Sequence, residues 1–138
     1  PPPPEVITSA AVQDSVDAGQ QLFDEVGCAD CHTPTLRTGP SDIPAMANQT
    51  LNLYSNVLLH DLGPENSGMC GPYATPSEYR TALLWGMRFK ENFMHDGAAT
   101  TLRQSIELHG GESEASRDAF DALSAEEQAY LLRFINSL

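Results

Sequence analysis

Cys28-Ala29-Asp30-Cys31-His32 constrains this 138-residue chain more than any other feature. Two thiols three residues apart match the two vinyl groups along one edge of a porphyrin. Thioether bonds to both vinyls leave the next residue beneath the iron, where an imidazole nitrogen can bind it. Competing chemistries fit less well. A redox-active CxxC opens a helix after a strand, whereas here Val16, Leu22, Phe23 and Val26 place a helix before the motif, and Gly27 stops it at Cys28. A zinc site needs further Cys or His at matched spacing, and only Cys70 and scattered histidines remain. The motif predicts one covalently attached haem, with Cys28 and Cys31 as attachment points and His32 as the proximal ligand.

The rest of the chain is read around that plate. Residues 1–14 read as a Pro-rich linker or tail, because Pro1–Pro4 favours stiff, extended backbone. Residues 15–138 form the predicted haem domain, whose first helix runs from Ser15 as cap to Val26. From Thr33 to Thr75 the chain is rich in Gly, Pro, Asn and Ser and reads as long loops, which a small domain tolerates when a cofactor organises them. Pro76 to Trp85 reads as a short helix with Thr75 as cap. Thr101 and Gln104 fit a capping box for a helix carrying Leu102, Ile106 and His109 on one face, ended by Gly110-Gly111. Ser116–Leu123 reads as helical, and Ser124 with Glu127 caps a final helix carrying Tyr130, Leu131, Phe134, Ile135 and Leu138. No strand-like alternation persists. The expected class is all-α, a cytochrome c-like fold with long loops around one covalently bound haem. In such a frame the first and last helices cross, with Gly19 and Phe23 facing Tyr130 or Phe134.

Charge narrows the partners. Nineteen acidic residues stand against seven basic ones, with Lys90 the single lysine and a formal net charge of −12. That balance disfavours nucleic acid and anionic membrane, and suits a redox protein with a positively charged docking face. No run of apolar residues is long enough to insert into a membrane. Pro1–Pro4 has neither a basic nor an apolar signal region, so any export signal is expected to have been removed. Haem attachment through CxxCH takes place outside the cytoplasm, so a periplasmic or extracellular location is expected. Cys70 is left unpaired and reads as a buried free thiol.

The proximal imidazole needs an acceptor for its second nitrogen, and the Pro34 carbonyl is the nearest candidate. Arg37 and Arg80 are candidates for the haem propionates, since guanidinium pairs well with partly buried carboxylates. Trp85 and Tyr79 are candidate pocket walls. For the sixth ligand, His109 points inward with Leu102 and Ile106, although a histidine on an apolar face is as readily a core residue; Met94 and Met87 stay open. His60 with Asp61, and His95 with Asp96, read as turns that tie loops beside the haem.

Several segments resemble the C-terminal haem domain of the bacterial di-haem cytochrome c peroxidase superfamily, nearest its thiol-oxidoreductase-like branch. They are Thr33-Pro34-Thr35-Leu36, Leu59-His60-Asp61-Leu62-Gly63, Glu78-Tyr79-Arg80-Thr81, Leu84-Trp85-Gly86-Met87, Phe93-Met94-His95-Asp96-Gly97 and His109-Gly110-Gly111-Glu112. The resemblance implies a distal ligand about one short helix after the His95-Asp96-Gly97 turn, which falls on His109. It therefore implies a bis-histidine, low-potential haem held by His32 and His109. The superfamily's peroxidases use a second haem, whereas this chain has one CxxCH. Electron transfer is thus the expected function, with a peroxidase or small-ligand-binding haem protein of labile sixth ligand as the alternative. Similar single-haem modules on low-complexity linkers imply a copper-dependent polysaccharide monooxygenase as one class of acceptor.

Overall fold

Ala10-Ala11-Val12 are good helix formers, and they start α1 (Ala10–Glu25) ahead of the expected cap at Ser15. Ser15 instead sits inside the helix, its hydroxyl donating to Val12 O at 2.7 Å. Gly27 ends the helix in the left-handed region at φ 83°, which glycine adopts at little cost, and the chain re-enters a single turn, α2 (Cys28–Cys31). The computed structural model describes residues 3–66, 68 and 71–138. Cys70, Met69 and the first two prolines of the opening run lie outside the described residues.

At the other end, α5 (Ala125–Ser137) begins with the expected capping box: Ser124 accepts from Glu127 N, and Glu127 accepts from Ser124 N at 2.8 Å. The two terminal helices cross at Gly19. A Cβ there would lie 2.0 Å from Tyr130 O and 2.9 Å from Phe134 Cβ, so the missing side chain is what permits the approach. One turn on, Phe23 meets Phe134 edge to face at 5.3 Å between centroids. Such a pair adds about 1 kcal/mol beyond its burial. Phe23, Leu131 and Phe120 are fully buried, the last on α4 (Glu114–Asp121), whose end is tied to α5 by Gln128 Nε2 donating to Phe120 O. The N-terminal lead also reaches this end of the molecule, with Glu5 N donating to Ser137 O.

The all-α expectation is wrong. The protein is mixed, 44% helical and 11% strand, with two small antiparallel sheets. β1 (Leu36–Arg37) pairs with β2 (Thr50–Leu51), and β3 (Leu59–Asp61) with β4 (Glu78–Arg80), placing His60 opposite Tyr79. Strands of two or three residues are too short to show an alternating pattern, which is why none was visible. β4 replaces the helix expected from Pro76 to Trp85. Glu78 closes a turn onto Thr75, accepting from its N–H, and the chain then pairs with β3 rather than coiling.

Between these sheets and α4 runs α3 (Leu102–Glu107). Thr101 caps it by accepting from Gln104 N at 3.1 Å, but Gln104 reaches back to Thr100 rather than to the cap residue, so the box is only half formed.

Candidate functional site

The loop after α2 is built from backbone pairs. Cys31 O, Thr33 O and Pro34 O accept from the amides of Asn56, Ser55 and Tyr54 in turn. This lays Tyr54 across His32, whose Nδ1 lies 3.0 Å from Tyr54 O. The Pro34 carbonyl is occupied by Tyr54 N and is not the partner of His32, contrary to expectation. A carbonyl can only accept, so Nδ1 carries the proton and Nε2 keeps its lone pair. Burial lowers the His32 pKa to about 4, so the ring is neutral at physiological pH.

His109 has the same arrangement on another element. It follows the end of α3, and its Nδ1 lies 2.6 Å from Ser105 O, one turn back. Burial lowers its pKa as well, and a second charge beside His32 would come from His109 itself. Arg117 Nη1 donates to His109 O at 3.1 Å and fixes the main chain there. Each ring therefore offers an unprotonated Nε2.

Both rings line one cavity of about 380 Å³, together with Cys28 and Cys31. Phe23, Leu84, Met87, Phe93, Leu102, Ile106 and Ile135 make most of its wall apolar. Burial raises the Cys28 thiol to about 12 and also raises Cys31, beside the charges of Glu112 and Asp30. Neither cysteine is in a disulfide.

A family described as "di-haem oxidoreductase, putative peroxidase" matches residues 6–138. The chain belongs to this family. It is accordingly a haem redox protein. No curated protein and no solved structure matches it.

The residues present fit the cofactor that the di-haem oxidoreductase family implies. Two thiols and two neutral imidazoles share one apolar cavity, and thiol and imidazole are side chains that can hold haem. Arg80, Lys90 and Tyr79 add polar groups to the lining, and the buried Tyr79 hydroxyl has no hydrogen-bond partner among the described residues. Of the other residues singled out in the sequence, Arg37 lies on β1, exposed and outside the cavity. Trp85 is also outside it, its indole N–H donating to Asn52 O. Met87 and Met94 both line the cavity, as do His60 and His95. His95 stacks on Tyr79 at 4.0 Å, and Asp96 accepts from Ala98 N, so this turn is held by its own side chains.

Tyr54, Asn56 and Lys90 were not foreseen. Tyr54 and Asn56 act through backbone groups more than 20 positions away from their partners, where no local pattern exists. Lys90 carried a signal, being the single lysine of an acidic chain.

Proposed function

We propose that this di-haem oxidoreductase family member is an electron carrier in which His32 and His109 would both ligate the iron of one haem. Cys28 and Cys31 would attach it covalently. One observation carries the reading: two neutral imidazoles, each with Nδ1 on its own backbone carbonyl, line the cavity that also holds both thiols. When bound, haem supplies one-electron redox chemistry. The chain's own contribution is to hold both rings as lone-pair donors, exclude water with the apolar wall, and set Arg80 and Lys90 where propionates can reach them. A second imidazole in place of a thioether lowers the potential, so a low-potential, low-spin centre follows.

With His32 and His109 both engaged in holding the haem, the protein would leave no site open to peroxide, which favours electron transfer over peroxide chemistry. The partner would be an extracytoplasmic redox protein with a basic docking face, matching the charge of −12. A copper-dependent polysaccharide monooxygenase is one such class. Loss of transfer rate with added salt tests the steering; a rate indifferent to salt rejects it.

The family description favours a second reading, a peroxidase or small-ligand-binding protein in which His109 leaves the iron. Carbon monoxide binding to the reduced protein separates the two. Slow or negligible binding supports the carrier, whereas fast and complete binding, with rapid peroxide turnover, supports the enzyme.

A further inference from the structure

His109 lies beyond the last turn of α3, in irregular chain, yet that chain is pressed tightly onto β3 and its exit. A Cβ on Gly111 would fall 2.3 Å from Asp61 O, and one on Gly110 would fall 2.8 Å from Leu62 O. Asn66 Nδ2 closes the same seam by donating to Leu108 O and Leu62 O. The loop carrying the prospective ligand is therefore seated against the segment 61–66.

Glu112 continues that seam toward the other wall of the cavity. Its Oε1 accepts from Asp61 N at 3.1 Å and its Oε2 from His60 Nδ1 at 2.7 Å. On the far side of the ring, Asn56 Nδ2 lies 2.9 Å from His60 Nε2. The Asn56 amide has one orientation open to it, because its oxygen already accepts from Leu58 N and Thr81 Oγ1. Its NH₂ therefore donates to Nε2, and His60 donates from Nδ1 to Glu112. Asn56 N in turn donates to Cys31 O at 2.8 Å, next to His32. A continuous relay along the cavity wall thus joins the His109 loop to the His32 loop.

We propose that Glu112 is a positioning residue that, through His60 and Asn56, holds His109 on the cavity wall and so sets how readily it leaves the iron. The inference rests on the bis-histidine reading above. Two hydrogen bonds from one carboxylate fix the loop three residues beyond the ligand, and misplacement by an ångström at a ligand is costly. Losing the carboxylate releases the loop at that point while leaving both ligands and both thiols in the chain.

The test compares the haem-loaded wild type with Glu112→Ala, Glu112→Gln and His60→Ala, reading the ferric high-spin fraction and the rate of carbon monoxide binding to the reduced protein. Glu112→Ala is expected to raise that rate at least tenfold with a visible high-spin component. Glu112→Gln keeps one acceptor oxygen but turns its NH₂ against the second donor, so it is expected to fall between the wild type and Glu112→Ala. His60→Ala should reproduce the Glu112→Ala effect, and the double variant should add little to either, since both cut one relay. A wild type without a bis-imidazole spectrum overturns the parent reading. A bis-imidazole wild type with Glu112→Ala unchanged overturns only the positioning role. Should Glu112→Ala fail to load haem, His60→Ala decides on the same two readouts, an unchanged rate again overturning the role. Additive effects in the double variant overturn the relay.

Discussion

Gly19→Ala is the most exacting test of the helix crossing on which the cavity floor rests. The new Cβ would sit 2.0 Å from Tyr130 O and 2.6 Å from its carbonyl carbon, a full ångström inside the 3.0 Å that real contacts respect. The obstacle is backbone, so no side chain can swing away, and α1 and α5 must separate. Forced overpacking costs roughly 1–3 kcal/mol, and a backbone clash belongs at the upper end. Alanine regains about 1 kcal/mol of helix propensity over glycine. The net loss is about 2 kcal/mol, or roughly 7 °C in Tm for a domain of this size. Separation would also disturb Phe23 against Phe134 and Tyr54, whose carbonyl holds His32. Thermal melting followed at 222 nm and in the haem absorption band measures both. An unchanged or raised Tm would refute the crossing geometry, because propensity alone would then decide the sign.

Acid should weaken the His109 loop. The hydrogen bond from His60 foremost, then that from Asp61 N, holds the Glu112 carboxyl below its ordinary value. A carboxyl lowered in the folded state stabilises fully above the unfolded value of about 4.3, and that contribution is lost as pH falls through the lowered folded value. The Tm deficit of Glu112→Ala relative to wild type should therefore shrink once pH falls below about 4; a deficit that stays undiminished there contradicts the pairing. Arg80→Gln should lower the reduction potential of the loaded protein, since it removes a cation from the cavity lining, while Arg37→Gln should leave it unchanged. Equal shifts from both, by protein-film voltammetry, would sink that distinction.

Local signals were legible in the sequence wherever one short segment fixed its own geometry. Gly27 before Cys28, Ser124 with Glu127, and Gly19 one turn from Phe23 each appear in the structure as read. Apart from the Ser15 cap and the half-formed Thr101–Gln104 box, the misreadings involve partners distant along the chain. Thr75 and Pro76 carry good helix-start chemistry, yet pairing with β3 turns Glu78–Arg80 into a strand. Tyr54 reaches His32 across 22 positions, so the nearer Pro34 looked the better acceptor. Arg37 and Arg80 are alike as residues, and only the course of the loops puts one on the cavity and the other outside. His60-Asp61 and Glu112 were visible as motifs, but their contact needed the glycine seam to be seen.

The central claim is that His109 occupies the position opposite His32. The ferric absorption and paramagnetic resonance spectra of the wild type and His109→Met test it most directly. The account predicts a low-spin bis-imidazole wild type without the thioether-to-iron band near the red edge of the visible, with that band appearing in His109→Met and the potential rising. A wild type that already shows the thioether band, or a His109→Met variant with an unaltered spectrum, would contradict it.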